Sequence, residues 1–333
     1  MERKGIISAG NWLVDSVKFI DIYPGKGNLT HIRNVAEGLG GCSHNVLVDL
    51  AALQSGIPLY AGGCIGRDKH GEMILDACRK YGINHKNIRI LDDVPTSYTD
   101  VLSEIGGTAS RTFFHCYGAN ARLGMDEVLS CESDAKIFHL GYLLLLPELD
   151  KPDPEYGTVA ARTLKHLKDK GYITSVDLVS EEGERFRKIV LPSLRFVDYL
   201  IINEVEAGAC LGYDLRNEDG TINIEKVRAA AQELTVDNDI KVCAIHYPEG
   251  AYAVSCSGEN AETLSEMISP DRIVSAVGAG DAFCAGSLFA LHEGWNLSRM
   301  LEFASACARF NLSSPTATGG APSLEQISRY INI

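Results

Sequence analysis

The sequence predicts an α/β fold with a mainly parallel central sheet, helices on both faces and a small β-sheet lid. Apolar runs rich in β-branched residues alternate with longer amphipathic segments through most of the chain. Two regions break this alternation and have the pattern of short antiparallel strands. The 333 residues suffice for one large α/β domain or two smaller ones. We expect one domain over 1–333, with lid segments at about 11–36 and 96–120.

The elements follow from local patterns. Buried strands are predicted at "GIISAG", "LYAGGCIG", "KIFHLGYLLLL", "YITSVDLV", "VDYLIIN" and "VCAIHY". Helices are predicted over 45–54, 72–81 and 156–170, each followed by a glycine that terminates it. In the first lid segment, a Pro-Gly turn joins short strands. In the second, apolar and polar residues alternate around Gly106 and Gly107, which is typical of a hairpin.

Composition excludes several classes of protein. The formal net charge of −13 disfavours nucleic-acid binding, which needs a positive surface. The longest apolar run is far too short to span a membrane, and the N-terminus lacks a signal-peptide pattern. We therefore expect a soluble cytoplasmic protein that binds neither nucleic acid nor membrane.

Cysteine spacing argues against a zinc or redox motif. The chain has ten cysteines and no C-x-x-C pair. They are Cys42, Cys64, Cys78, Cys116, Cys131, Cys210, Cys243, Cys256, Cys284 and Cys307. Dispersed and mostly buried thiols in a reducing compartment are the better interpretation.

Residues 275–286, "SAVGAGDAFCAG", place a loop with little side-chain bulk directly before a helix pattern. The backbone amides of Gly278, Ala279 and Gly280 could form an anion hole at the positive end of the helix dipole. Asp281 would then be placed to take a proton from an attacking hydroxyl. Taken alone, the same residues fit an aspartate-capped helix start at least as well. Neither a G-x-x-x-x-G-K-[ST] loop nor a G-x-G-x-x-G dinucleotide fingerprint after the first strand is present.

A second glycine-rich segment favours a catalytic role for the 275–286 loop over a purely structural one. "GLGGCSHNVLVDLAALQSG", residues 38–56, enters a predicted helix, and "RTFFHCYGAN", "NEVE" and "GGAPS" follow along the chain. With "VGAGDAFCAG", these segments resemble, in order, the signatures of the ribokinase-like PfkB family of carbohydrate kinases. The resemblance covers essentially the whole chain and implies a ribokinase-like three-layer sandwich with a lid.

In that family a sugar or nucleoside hydroxyl attacks the γ-phosphate of ATP. The resemblance implies Asp281 as the base and residues 278–280 as the anion hole. It also implies that Asp15, Gly41 and Asn45 hold substrate hydroxyls, since a carboxylate and an amide each satisfy paired sugar OH groups. Without the resemblance, Asn45 fits a helix cap equally well.

On the nucleotide side, the resemblance assigns Asn203 and Glu206 to organising Mg²⁺ and phosphate. Because magnesium keeps several waters, Glu206 would contact it through water. Taken alone, Glu206 would be a solvated helix residue. Gly250 resembles the glycine of the family's nucleotide loop, although His246 stands where threonine is usual. Gly278 and Gly280 would also contact the nucleotide.

The lid supplies two further candidates for substrate contact, Arg111 and Asn120. A lid excludes water from phosphoryl transfer and completes the site. Arg111 could meet a carboxylate or phosphate on the substrate, or lie at a strand edge in water. For His115 the sequence favours a structural role. Because lids of this family often pack between two subunits, the resemblance also allows a homodimer formed through the lid.

Two departures from the family pattern bear on cations and substrate. Ser275 replaces an aspartate that contributes to the monovalent-cation site of potassium-activated members, so K⁺ activation is doubtful. "SVDLVSEEGE" lacks the D-x-N-x-R pattern of relatives that phosphorylate keto-acid sugars, although Arg111 could substitute. The sequence thus favours an ATP-dependent kinase of a small neutral sugar, fructose being one example. A nucleoside kinase and a non-catalytic sugar-binding protein are the alternatives.

Overall fold

The computed structural model of the chain describes residues 3–105, 111–181, 183–265, 268 and 273–331; of Arg111 it describes only the backbone. The strands are β1 (Ile6–Gly10), β2 (Leu13–Ile20), β3 (Ile32–Gly40), β4 (Leu59–Gly66), β5 (Asn84–Leu91), β6 (Ser97–Glu104), β7 (Arg111–Cys116), β8 (Ile137–Leu143), β9 (Pro152–Asp153), β10 (Gly157–Thr158), β11 (Ile173–Leu178), β12 (Tyr199–Asn203), β13 (Val242–Tyr247), β14 (Gly250–Ser255) and β15 (Asn260–Leu264). The helices are α1 (Cys42–Ala52), α2 (Lys69–Lys80), α3 (Met125–Leu129), α4 (Val159–Asp169), α5 (Glu184–Leu194), α6 (Glu204–Leu211), α7 (Ile224–Asn238), α8 (Ala279–His292), α9 (Leu297–Asn311) and α10 (Leu324–Ile331), with a short 3-10 helix at Gly118–Arg122.

The main sheet has the strand order β15-β14-β13-β12-β11-β8-β1-β4-β5. The strands from β13 to β5 in this order pair in parallel, and β14 and β15 complete one edge in antiparallel fashion. The predicted mainly parallel sheet is confirmed. In such a sheet the carboxyl ends of the strands meet at one edge, which is where open α/β sheets bind ligands.

Side-chain alternation along the strands divides the core into two layers. In β1, Ile7 and Ala9 pack with α3 to α7 on one face, whereas Ile6 packs with α1, α2, α8 and α9 on the other. Since strand side chains alternate with a period of two, a strand covered by helices on both faces is apolar throughout. This explains why the predicted strands appear in the sequence as continuous apolar runs.

A separate four-stranded sheet has the order β3-β2-β6-β7. β2 pairs antiparallel with β3 and parallel with β6, and β6 pairs antiparallel with β7. The two segments predicted for the lid thus form one sheet. The predicted hairpin turn at Gly106 and Gly107 lies outside the described residues.

Helix boundaries differ from the prediction by a few residues for identifiable reasons. α1 begins at Cys42, three residues earlier than predicted, because Gly41 provides the N-cap with a φ of 93°. α2 begins at Lys69, where the Asp68 side chain accepts from the Gly71 amide. α4 begins three residues later than predicted because 157–158 form a strand. The run "LLLL" leaves β8 after Leu143 and continues as buried turn.

Thiol burial agrees with the sequence interpretation: eight cysteines are buried, Cys116 is half-buried and Cys256 is exposed. Among the helices that the structure describes, none has both the length and the apolar content needed to cross a membrane.

Candidate active site

The loop that precedes α8 is fixed by contacts from both sides. Gly278 is the N-cap of α8 with a φ of 80°, a left-handed conformation that favours glycine. A Cβ on Gly278 would collide with the carbonyl of Ala317, in the segment leading to "GGAPS". The Asn311 carboxamide donates to the Val277 carbonyl at 3.0 Å. The first turn of α8 is therefore held at the carboxyl edge of the sheet, where the Ala279 amide donates to the Ala276 carbonyl at 3.3 Å.

Asp281 lies in this first turn and is buried. Its carboxylate accepts a hydrogen bond from Asn45 Nδ2 at 2.8 Å and another from the Tyr142 hydroxyl at 3.0 Å. Burial raises the pKa of Asp281 to about 6, while these hydrogen bonds oppose the rise. The alternative that Asp281 caps the helix is wrong, because the N-cap is Gly278 and the carboxylate bonds to side chains of other elements.

Asn45 is brought to Asp281 by α1. It is the fourth residue of α1, and Gly41 occupies the N-cap, so the interpretation of Asn45 as a helix cap is wrong. Its Oδ1 lies 2.9 Å from His44 Nδ1. A Cβ on Gly41 would collide with the Asn11 carbonyl, so the chain reaches α1 close beside the end of β1.

Two further carboxyl groups, Asp177 and Glu206, are electrostatically linked to Asp281. Asp177, on β11, has a pKa raised well above its usual range, first by burial and then by the charges of Asp281 and Glu206. Glu206 is buried, and desolvation raises its pKa to about 7. The charges of Asp281 and Glu206 both disfavour ionisation of Asp177, and a bound cation would relieve this repulsion.

Asn203 and Glu206 form a capping box at the start of α6. The Glu206 amide donates to Asn203 Oδ1 at 2.8 Å, and the Asn203 amide donates to Glu206 Oε2 at 3.1 Å. The other carboxylate oxygen of Glu206 accepts from the Ser180 hydroxyl at 2.9 Å. Glu206 is therefore not a solvated helix residue.

Asp15 lies on β2, in a row that crosses the four-stranded sheet. Thr99 of β6 is opposite Asp15, and His115 of β7 is opposite Thr99. Thr99 hydrogen-bonds the Asp15 carboxylate and lies 3.1 Å from His115 Nδ1. Burial raises the pKa of Asp15 to about 6. A Cβ on Gly40 would approach Asp15 Oδ2 within 2.6 Å, so this carboxylate lies beside the glycines that lead into α1.

Among the residues that the structure describes, no hydrogen bond joins Asp281 to the remaining predicted site residues, Asn120, Gly250 and the backbone of Arg111. Asn120 is buried on the 3-10 helix, and its carboxamide bonds the backbone of Trp12, donating to the carbonyl at 3.2 Å and accepting from the amide at 3.3 Å. Gly250 opens β14 opposite Leu264. The Arg111 side chain lies outside the described part of the chain, so its predicted substrate contact stays a prediction.

Ser275 and His246, the departures from the family pattern, lie close to the α8 loop. The Ser275 hydroxyl accepts from the Val277 amide at 3.1 Å, which closes a local turn. The His246 ring stacks on Phe283 with centroids 4.8 Å apart, and burial lowers its pKa to about 4. The imidazole is thus neutral near pH 7.

Sequence reasoning missed Tyr142 and Asp177 as site residues. Both follow the apolar runs of β8 and β11, and in a parallel sheet such positions lie at the shared carboxyl edge. That placement was the available signal. Nothing in the sequence indicates that Asn11 also reaches this edge, where its Oδ1 accepts from the Tyr142 amide.

A cluster of a thiol, an imidazole and a carboxylate lies next to these residues. Cys42 Sγ is 3.2 Å from His139 Nε2, and Asp177 completes a group whose ligand atoms all lie within 4.8 Å of one another. The three residues come from α1, β8 and β11, so their spacing in the sequence gives no sign of the cluster.

The chain is similar in sequence to known carbohydrate kinases. Residues 8–324 match the sequence profile described as "pfkB family carbohydrate kinase". The chain is 24% identical to a ribokinase of Schizosaccharomyces pombe over 333 residues, with 98% of each chain covered. It is 24% identical to a 5-dehydro-2-deoxygluconokinase of Clostridium perfringens over 313 residues, which cover 91% of this chain and 86% of the relative.

Solved structures with the same fold include an Arabidopsis thaliana ribokinase complexed with ribose and ATP. It superposes with a TM-score of 0.79 at 19% identity and 99% coverage of both chains. A Thermotoga maritima ribokinase superposes with a TM-score of 0.77 at 21% identity, over 99% of this chain and 100% of that one. The fold class is therefore that of the ribokinases.

The family profile and the kinases that resemble this chain define a phosphotransferase. The chain belongs to the PfkB family of carbohydrate kinases, and it is a kinase that acts on a sugar hydroxyl.

Proposed function

We propose that this kinase transfers the γ-phosphate of ATP to a hydroxyl of a small neutral sugar, with Asp281 as the general base. The observation that carries the proposal is the position of the Asp281 carboxylate. It is buried in the first turn of α8, next to the backbone of 278–280, and is held by Asn45 and Tyr142.

The reaction follows from these positions. The sugar oxygen bonds to the γ-phosphorus as the bond from that phosphorus to the β-phosphate oxygen breaks, and ADP leaves. The proton of the attacking hydroxyl passes to Asp281, which is mostly ionised at neutral pH because its pKa is about 6. The first-turn amides of α8, including those of Gly278, Ala279 and Gly280, stabilise the negative charge on the transferred phosphoryl oxygens.

Sugar binding is assigned to Asp15, Gly41 and Asn45. Asp15 faces the glycines before α1, and Asn45 already contacts the base, so hydroxyls bound between them would lie beside Asp281. The four-stranded sheet would then act as a lid that excludes water. Asn120 is a weaker candidate for substrate contact, because Trp12 already occupies both polar atoms of its carboxamide.

Nucleotide and magnesium would be held on the other side of Asp281. The oxygens of Asp177, Glu206 and Asn203 are the donor type that Mg²⁺ prefers, and the repulsion among the carboxyl groups fits a divalent cation. Mg²⁺, contacted by Glu206 through water, would neutralise phosphate charge. Gly250 stays a predicted nucleotide contact. Because the Ser275 hydroxyl is engaged in a turn, we do not expect K⁺ activation.

A homodimer formed through the lid stays a prediction. Several apolar side chains of the lid are exposed, among them Ile22 at 63% and Phe113 at 62%. Light scattering coupled to gel filtration measures the mass directly. A monomer at micromolar concentration would contradict the prediction.

The test of the proposed function is ADP release with Mg²⁺-ATP across hexoses, pentoses, keto-acid sugars and nucleosides, with and without K⁺. We expect turnover on one neutral sugar, no response to K⁺, and loss of turnover in Asp281→Asn. Turnover on a nucleoside alone would identify the alternative substrate class. Sugar binding without turnover on any substrate would overturn Asp281 as a catalytic base.

A further inference from the structure

We propose that Cys42, His139 and Asp177 form a binding site for a thiophilic divalent cation such as Zn²⁺, and that its occupancy inhibits phosphoryl transfer. The inhibitory half of this proposal rests on the proposed function, whereas the binding half does not. The three residue types are those that zinc selects, and none of the site's proposed magnesium contacts uses sulfur or imidazole.

The distances fit a metal with one open coordination position. In a tetrahedral zinc site, with bonds of about 2.0–2.3 Å, ligand atoms lie roughly 3.4–3.6 Å apart. Cys42 Sγ and His139 Nε2 are 3.2 Å apart, and the Asp177 oxygen lies within 4.8 Å of both. A change of at most about 1.4 Å in the ligand separations would therefore complete three bonds and leave the fourth position for water or substrate.

A glycine on β8 allows two of the ligands to approach each other closely. Gly141 lies two residues beyond His139 on β8, and a Cβ on Gly141 would come within 3.0 Å of Cys42 Cβ and 3.1 Å of Asp177 Cβ. The same Cβ would collide with Cys42 Sγ, so the thiol can lie beside the carboxylate only because residue 141 is glycine. The cluster thus has the close approach of ligands that a small ion requires.

The imidazole is also held in a suitable orientation. Ser175 is opposite His139 on the neighbouring strand, and its hydroxyl lies 3.1 Å from His139 Nδ1. When Nδ1 donates to this hydroxyl, Nε2 presents its lone pair toward Cys42. Metal-binding histidines generally have such a partner on the other ring nitrogen. Ser175 is therefore a positioning residue for the site.

Unpartnered polar atoms on the same face add a second observation. Ser8 is opposite His139 on β1, and Ser43 follows Cys42 in α1; both are fully buried. Their hydroxyl oxygens have no hydrogen-bond partner among the described residues. Buried polar groups nearly always have a protein or water partner, so this layer is suited to an ion with its bound water.

Occupancy would alter the catalytic base. The Asp177 and Asp281 side chains are hydrogen-bonded to each other, and the charge of Asp281 helps to raise the pKa of Asp177. A divalent cation bound to Asp177 would draw this side chain out of its hydrogen bond with Asp281 and so change the surroundings of the base. It would also remove Asp177 from the oxygen donors proposed for magnesium. Binding displaces the Cys42 thiol proton and the proton retained by Asp177 to solvent, so the ion gains a thiolate and a carboxylate ligand.

The binding test uses Co²⁺ as a spectroscopic probe in a Cys256→Ser background, which removes the exposed thiol. We expect thiolate-to-cobalt charge-transfer absorption with tetrahedral d–d bands, displaced by Zn²⁺. Cys42→Ser should abolish the charge-transfer band, and Ser175→Ala should weaken binding about 10–100-fold. Cys64 is a buried thiol on the opposite face of the sheet. Its substitution, Cys64→Ser, should leave the charge-transfer band and the cobalt affinity unchanged. Absence of the band in the background protein, or its persistence in Cys42→Ser, would overturn the site.

The inhibition test titrates buffered Zn²⁺ into the kinase assay with excess Mg²⁺-ATP. Each variant is compared with its own rate without zinc. We expect kcat to fall at least tenfold in the background protein and in Cys64→Ser, at the Zn²⁺ concentration that displaces cobalt, but not in Cys42→Ser. Cobalt binding without zinc inhibition would overturn the inhibitory role while leaving the site supported. Because the spectrum needs no turnover, failure of the proposed function would not conceal the result.

Discussion

The hydroxyl of Tyr142 donates a 3.0 Å hydrogen bond to the carboxylate of Asp281, joining the end of β8 to the start of α8. Burial raises the pKa of this carboxyl to about 6, and the Tyr142 and Asn45 hydrogen bonds oppose the rise. The pKa of the proposed base is therefore set by burial and by hydrogen bonds from side chains that lie far from it in sequence, Asn45, Tyr142 and Asp177. Mutation of these side chains can vary this pKa without changing the base itself.

Asp281→Asn should lower kcat by about 10²–10⁴-fold, the usual contribution of a general base, with little change in sugar affinity. In the native enzyme, kcat/KM should fall tenfold for each pH unit below about 6, because protonation removes the base. Steady-state kinetics from pH 5 to 8 measure both effects. A flat profile over this range, with activity retained in the variant, would refute the assignment.

Tyr142→Phe removes one of the hydrogen bonds that lower the pKa of Asp281. The acid limb of the kcat/KM profile should therefore move to higher pH. Tyr213→Phe is the matched control, since its hydroxyl bonds Glu233 on the surface instead. If the acid limb of the kcat/KM profile stays at the same pH in Tyr142→Phe, or moves equally in the control, the Tyr142 hydrogen bond does not lower the pKa of Asp281.

Gly280→Ala and Gly278→Ala should separate catalysis from folding. A Cβ on Gly280 would lie 3.7 Å from His246 Cε1, an ordinary contact, and alanine favours the helix by about 1 kcal/mol. We expect Gly280→Ala to keep its melting temperature but lose kcat, because the methyl group obstructs close approach of the phosphate. Gly278→Ala should instead lower the melting temperature, because of its positive φ and the Ala317 carbonyl. Full activity in Gly280→Ala would argue against the anion hole.

Asp49→Asn should stabilise the fold more at pH 8 than at pH 5. Asp49 is buried on α1, neither carboxyl oxygen has a hydrogen-bond partner among the described residues, and burial raises its pKa well above its usual range. Because the folded-state pKa is raised, the free energy of unfolding falls as pH rises above the unfolded pKa of about 4. It falls by about 1.4 kcal/mol for each pH unit until the folded-state pKa is reached.

Urea unfolding at pH 5 and pH 8 measures how much Asp49→Asn increases the free energy of unfolding at each pH. Asp237 is exposed, so Asp237→Asn serves as the control. Equal increments at pH 5 and pH 8 would mean that Asp49 is not protonated in the folded state.

Asn120→Ala should lower the free energy of unfolding by about 1–3 kcal/mol, because it leaves the backbone groups of Trp12 buried without a partner. The KM for sugar should change little. Asn260→Ala, on an exposed position of β15, serves as the control. A large rise in sugar KM at unchanged stability would instead support the predicted substrate contact.

The sequence by itself determined the fold class and the class of enzyme. Local patterns decided the strands, because a strand buried on both faces is a continuous apolar run, as "LYAGGCIG" is along the whole of β4. The segment at 275–286 indicated the α8 loop and Asp281, because a glycine-rich helix start depends on neighbours in sequence. The comparisons bear out the family that these segments suggested.

Only the tertiary structure decided which side chains meet. Asn45 and Tyr142 reach Asp281 from α1 and β8, so no spacing along the chain encodes their contact. The Cys42, His139 and Asp177 cluster arises in the same way, and the absence of a C-x-x-C pair says nothing about it. The physical reason is that a parallel sheet gathers the ends of strands separated by dozens of residues at one edge. There, burial and mutual repulsion set pKa values that no isolated residue has.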